Sequence, residues 1–255
     1  MTTMLPLSGK VIWVTGAGRG LGRAIAAGLV DDGATVLATA RTTATLDSLA
    51  AEHPPGAIVI APGSVTEATD IDRILRKLHR SADGTVILHG VVNCAGISPS
   101  FVRTENLDPA TFAEILETNT IGTFRCARAA ARIMLRSADG GSIVNVSSVH
   151  GKVGYPRIAA YAASKGAVDA LTKTLAVEWA DRNIRVNTLA PGYFPTDLSH
   201  ELLESRWGED ILKRIPMKRT GKPNELARAA SFLLSDASSY VTGAEIAVDG
   251  GWQAW

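Results

Sequence analysis

Seven short apolar runs recur along this chain, separated by longer segments of helical periodicity. The runs are Val11–Thr15, Thr35–Ala40, Ala57–Ala61, Val86–Asn93, Ser142–Ser147, Ile184–Leu189 and Glu245–Val248. Between them lie Leu21–Asp32, Thr43–Ala51, Glu67–Arg80, Pro109–Arg136, Ala159–Arg182 and Pro223–Ser235. Strands that are apolar on both faces need helices packed against each side, which is the pattern of a parallel sheet. Right-handed crossovers between such strands wind the chain outwards in both directions. The expectation is therefore an α/β fold: a doubly wound, seven-stranded parallel sheet with helices on both faces. The chain has 255 residues, 46% hydrophobic, and no internal repeat or low-complexity linker divides it, so residues 1–255 read as a single domain. One irregular insert, Tyr193 to Lys222, follows the sixth strand. Ligands in such sheets bind beyond the carboxyl ends of the strands, so residues 193–222 read as a substrate lid, with a surface excursion as the alternative.

The charge pattern excludes some partners. Net charge is +1 and the basic residues are scattered, which gives no footprint for nucleic acid or a membrane surface. The N-terminus lacks a charged start followed by an apolar core, and no apolar run reaches spanning length. The two cysteines, Cys94 and Cys126, both sit in apolar segments and read as reduced, buried thiols of a cytoplasmic protein. The five histidines show no metal-ligand spacing, so no metal is expected.

The turn after the first strand, Thr15-Gly-Ala-Gly-Arg-Gly-Leu-Gly22, is rich in glycine and opens a helix. Glycines there allow a tight turn and close backbone approach to a pyrophosphate, whose charge the helix N-terminus favours. The spacing departs from GxGxxG, because Leu21 stands in place of the last glycine. At the end of the second strand, Rossmann-type folds that prefer NAD place a carboxylate against the ribose hydroxyl. Here Ala40 is followed by Arg41, and Arg19 in the glycine turn is a second cation. Two guanidiniums without a carboxylate suit a 2′-phosphate, so NADP(H) is favoured, with NAD(H) left open.

A second constellation is Asn119, Ser148, Tyr161 and Lys165. Tyr161 and Lys165 are four residues apart in a helical stretch, which puts phenol and ammonium on one face. A phenol titrates near ~10 and is a poor acid or base at neutral pH by itself. A neighbouring cation favours the phenolate and burial opposes it. If the cation wins by about three units, roughly 4 kcal/mol goes into poising Tyr161 for proton transfer.

On these residues the chain resembles the short-chain dehydrogenase/reductase family along nearly its whole length. Thr15–Gly22 is similar to the family's TGxxxGxG, and Asn93-Cys-Ala-Gly96 to its NxAG segment. Asn119-Thr-Ile-Gly122 resembles the segment carrying the active-site Asn. Of Ser147 and Ser148, Ser148 is the better match to the catalytic serine, thirteen residues before Tyr161. Tyr161–Lys165 matches YxxxK. Pro191, Gly192 and Thr196 resemble the loop that holds the nicotinamide carboxamide, and Val248-Asp-Gly-Gly-Trp252 is a usual ending. The resemblance implies that Ser148 binds the substrate oxygen and Tyr161 exchanges its proton. Lys165 lowers the phenol pKa and binds ribose, and Asn119 positions a water leading from Lys165 to solvent. It implies cofactor contacts at Thr15, Gly16, Arg19, Gly20, Leu21, Gly22, Arg41, Ser64, Val65, Asn93, Ala95, Gly96, Tyr161, Lys165, Pro191, Gly192 and Thr196. Ser64 departs from the family pattern, which has Asp at that place.

A substrate pocket is expected from Ser98, His150, Tyr155, Tyr193 and insert residues such as Trp207. His150 and Arg157 each read as a surface group or a contact for a polar or anionic substrate. The substrate is a small carbonyl or alcohol: a sugar acid, polyol, keto ester, steroid or simple ketone. The leading activity is carbonyl reduction or its reverse, with an NAD-linked sugar-acid or polyol dehydrogenase as the alternative. A nucleotide-sensing protein without turnover, and chemistry such as dehydration or epimerisation, stand as competitors. By resemblance a homo-oligomer, tetramer or dimer, is expected. The segments Pro109–Arg136 and Ala159–Arg182 could supply one interface.

Overall fold

The computed structural model describes residues 5–78, 84, 86–98, 101–196, 203–204 and 206–254, without the side chains of Arg206 and Trp207. The strands are β1 (Val11–Thr15), β2 (Thr35–Thr39), β3 (Ile58–Ile60), β4 (Gly90–Asn93), β5 (Gly141–Val146), β6 (Ile184–Pro191) and β7 (Glu245–Val248). They form one sheet in the order β3-β2-β1-β4-β5-β6-β7, and every neighbouring pair is parallel. The helices are α1 (Gly20–Asp31), α2 (Thr43–Ala51), α3 (Ala68–Leu75), α4 (Pro109–Leu116), α5 (Gly122–Met134), α6 (Ala159–Trp179), α7 (Arg206–Arg214) and α8 (Pro223–Leu234). The seven-stranded doubly wound sheet expected from the pattern of runs is the one observed.

Alternation along β1 builds the two cores. Ile12 and Val14 join Ile25 and Leu29 of α1 and Leu226 and Leu233 of α8 on one face. Trp13 points the other way, to Ile74 of α3, Cys126 and Met134 of α5, and Leu175 of α6. Its indole N–H donates to Thr39 Oγ1 at 2.9 Å, which satisfies a fully buried donor. Winding reverses between β1 and β4, and the crevice beyond their carboxyl ends is where a doubly wound sheet binds ligands.

A buried polar ladder ties the central strands to α6. Asn93 Nδ2 donates to Asn145 Oδ1 at 2.8 Å, and Asn145 Nδ2 donates to Thr172 Oγ1 at 2.9 Å. Removing one member leaves its neighbour unpaired, at a cost of about 1–3 kcal/mol.

Three details differ from the expectation. The segment Pro109–Arg136 is two helices joined by a π turn at Glu117–Ile121, because an extra residue is accommodated around the buried Asn119. β4 begins at Gly90, and just before it the ring nitrogen Nδ1 of His89 accepts the N–H of Val11 at 2.9 Å. The insert contains a helix, α7, held through Ile211 and Ile215 against Val149, Tyr193 and Trp252. Trp207's side chain lies outside the described residues, as does the structure of residues 197–202. No described helix is long and apolar enough to cross a membrane. Cys94 and Cys126 are free thiols, pushed up to about 11 and about 12 by burial.

Candidate active site

α6 presents Tyr161 and Lys165 one turn apart, and β5 ends at the loop carrying Ser147 and Ser148. The two serines separate once the sheet is in place. Ser147 Oγ donates to the backbone carbonyl of Lys165 at 3.1 Å, which fixes the loop to α6. Ser148 lines the same cavity as Tyr161 and accepts the N–H of His150 at 3.2 Å.

Lys165 is 5% exposed and donates to the Val146 carbonyl at 2.8 Å. Its ammonium lies 5.7 Å from the centre of the Tyr161 ring. Burial pulls Lys165 down to about 8, opposed by Cys94 and Asp169. Tyr161 is pushed above the ordinary phenol value by burial, with the Ser148 hydroxyl pulling it back and Cys94 raising it further. In the folded chain burial therefore outweighs any neighbouring charge at Tyr161, and the condition that the cation should win is not met by Lys165 alone.

Asn119, fully buried, sits inside the π turn. Its Oδ1 accepts the N–H of Ile97 at 2.8 Å, and its Nδ2 donates to Ile97 O at 2.9 Å and Ser164 Oγ at 3.0 Å. The amide clasps the loop after β4 to α6. Gly96 lies in that loop, where a Cβ would stand 3.2 Å from Asn119 Oδ1 and 3.7 Å from Lys165 Nζ.

Two adjoining cavities meet at Leu21, Tyr161, Pro191 and Thr196. The first runs from the glycine turn (Arg19, Gly20, Leu21, Gly22) past Cys94 and Gly96 to Lys165. The second adds Ser98, Phe101, Ser148, His150, Ile158, Gly192, Tyr193 and Phe194. The remaining cofactor candidates stand behind these walls or apart from them. Thr15 Oγ1 accepts the N–H groups of Cys94 and Ala95, both at 3.1 Å, and Asn93 gives its Nδ2 to the polar ladder while its buried Oδ1 has no hydrogen-bond partner among the described residues. Val65 packs where a Cβ on Gly122 would be 2.8 Å away. Ser64 shares a hydrogen bond of 2.8 Å with Thr66, and its N–H is taken by Asp70 at 2.8 Å. Arg41 is exposed beside α2, and Tyr155 edges onto His150 with ring centres 5.3 Å apart. Arg157 is exposed with φ +70.

The residues present fit a dinucleotide. Gly16 has φ +71, and a Cβ on Gly22 would stand 2.2 Å from the Gly16 carbonyl, so only a bare backbone closes this turn. Gly22→Val should open it, costing about 1–3 kcal/mol of stability and weakening NADPH binding at least about tenfold. A thermal melt and a fluorescence titration measure the two effects.

Fold and site together define a dinucleotide-dependent oxidoreductase. The sequence profile described as Enoyl-(Acyl carrier protein) reductase matches residues 16–253. Galactitol 2-dehydrogenase (L-tagatose-forming) of Cereibacter sphaeroides is 41% identical over 256 residues, covering 99% of this chain and 98% of that one. The 3-oxoacyl-(acyl-carrier-protein) reductase of Thermotoga maritima is also 41% identical, over 96% of this chain and 98% of that one. The gluconate 5-dehydrogenase structure from Burkholderia cenocepacia, in complex with NADP and tartrate, superposes with a TM-score of 0.89 at 33% identity, covering 99% and 98% of the two chains. The chain belongs to the short-chain dehydrogenase/reductase family, whose members here are NAD(P)-dependent oxidoreductases.

Sequence reasoning missed two residues near the second cavity, Arg214 and the buried Trp252, whose rings and charge meet only through the packing of α7.

Proposed function

We propose that this protein interconverts a carbonyl and a secondary alcohol with NADP(H), using Tyr161 as the acid/base. The observation that carries this is that Tyr161 lines both cavities, with Lys165 on the wall of the first and Ser148 on the wall of the second. A bound nicotinamide supplies or takes the hydride. Ser148 donates to the substrate oxygen, and Tyr161 gives that oxygen its proton or receives it. Lys165, buried beside the phenol, carries the positive charge that favours proton loss from Tyr161. Asn119 keeps the loop after β4 seated on α6, so that Gly96 leaves the cofactor path open. The insert at 193–222 covers the substrate in this reading, with α7 as its anchored part.

Preference for NADP(H) is supported by Arg19 and Arg41, both exposed and without an ion-pair partner among the described residues. The test is the dissociation constants for NADPH and NADH at one fixed salt concentration. The wild type should favour NADPH by about tenfold or more, which is about 1.4 kcal/mol. Arg41→Asp should bring the ratio to unity or reverse it, and an unchanged ratio would remove Arg41 from the assignment. A second reading, an NAD-linked sugar-acid or polyol dehydrogenase, has support for its substrate class in the galactitol and gluconate dehydrogenases among its relatives, while the gluconate dehydrogenase structure holds NADP. NADH preference in the same titration would select it.

A further inference from the structure

Past the reacting groups, the second cavity runs into an aromatic cluster with unmet polar capacity. His150 Nδ1 faces Val153 O at 3.3 Å, and Nε2 lies 3.0 Å from the Tyr193 hydroxyl. Burial favours the neutral ring, so Nδ1–H donates to the carbonyl and Nε2 accepts from Tyr193. The Tyr193 ring stands 4.8 Å from that of Trp252, which is fully buried. The indole N–H of Trp252 has no acceptor among the described residues.

Arg214, exposed and outside the lining of the second cavity, stands at the outer side of this cluster. Its guanidinium lies 4.4 Å over the Trp252 ring, close enough for its charge to act on His150, Tyr155 and Tyr193. Asp210, one turn earlier, acts on Tyr155 in the opposite sense but is engaged by Lys213 at 3.7 Å, as is Glu209. Among the described residues no carboxylate pairs with Arg214. A guanidinium over an indole still has N–H donors to offer a planar anion.

We propose that Arg214 receives an anionic end of the substrate, so that the pocket selects hydroxy acids and keto acids over neutral alcohols and ketones. The inference rests on the assignment of Tyr161 to the reacting oxygen, since the substrate then reaches from Tyr161 past His150 and Tyr193 towards Arg214. Ser98, Ser148 and the hydroxyl oxygen of Tyr193 along that path supply polar contacts for its hydroxyls.

The test compares keto acids with their methyl esters, the carbonyl placed two to five carbons along the chain, in the wild type and in Arg214→Met and Arg214→Lys. Methionine keeps an apolar stem on Trp252, and matched melting temperatures separate lost charge from lost packing. In at least one pair the wild type should prefer the acid by about tenfold or more in kcat/KM. Arg214→Met should bring that ratio near unity through KM with kcat retained, and Arg214→Lys should keep part of the preference. Equal turnover of esters and acids throughout, or an acid preference untouched by Arg214→Met, overturns the proposal while carbonyl reduction stands. If neither acids nor esters consume NADPH or NADH, carbonyl reduction itself falls, and the proposal with it.

Discussion

Tyr161→Phe is expected to lower kcat by about 10²- to 10⁴-fold, the usual contribution of a positioned proton donor, and to leave NADPH affinity within about threefold. The substitution removes one hydroxyl and keeps the ring, so the cavity wall and the packing around Lys165 persist. Reduction needs a proton at the carbonyl oxygen as hydride arrives at carbon, and oxidation needs the reverse. Ser148 cannot take over, because an aliphatic hydroxyl is a far weaker proton donor than a phenol. Steady-state turnover with a carbonyl substrate and a fluorescence titration with NADPH give the two readouts. A protein that only senses nucleotide would be unchanged in both, which separates an enzyme from a sensor. Loss of affinity in step with turnover would mean that the phenol holds the cofactor instead of moving a proton.

Lys165→Met has the second large effect, and its sign differs between activity and stability. Turnover should fall by at least about 10²-fold, because the phenol loses an adjacent cation, and cofactor affinity should fall as well. Normal affinity with lost turnover would leave Lys165 only its electrostatic role. Stability moves with pH. Lys165 falls from 10.5 in the unfolded chain to about 8 in the fold, so the unfolded state binds more protons between those values. The wild type therefore carries a penalty that is full below about pH 8 and fades as pH rises towards 10.5. Between about pH 7.5 and about pH 9.5 the wild type should gain about 2 kcal/mol relative to Lys165→Met. Loss of the bond to the Val146 carbonyl shifts the variant by a constant amount and leaves this slope alone. Denaturant midpoints of both proteins at the two pH values measure it, and parallel behaviour would show that the lysine is not buried as a cation. An activity residue that costs stability is the expected compromise at such a site.

Much of the site was legible because its signals are local. Fully apolar runs between helical periods dictate strands buried on two sides, and the sheet follows with its helices. The glycine turn declares itself through residues that lack Cβ, and the spacing of Tyr161 and Lys165 places them on one face of any helix. Other features depend on contacts between distant parts of the chain. Ser147 and Ser148 are adjacent and chemically alike, and only the docking of α6 on β5 binds Ser147 to the helix backbone at the wall of the first cavity and turns Ser148 into the second. The π turn at Asn119 arises because its amide must reach both Ile97 and Ser164. Whether burial or charge governs Tyr161 depends on how tightly the surrounding elements exclude water, which no spacing encodes. Arg214 meets Trp252 across a long stretch of chain. The sequence by itself determined the architecture and the placing of Tyr161 and Lys165 on one helix face, since neighbours along the chain share a helix face or a strand. The tertiary structure alone decided which serine faces which cavity, how strongly Lys165 is desolvated and where the Arg214 guanidinium stands, because facing and burial are properties of packing.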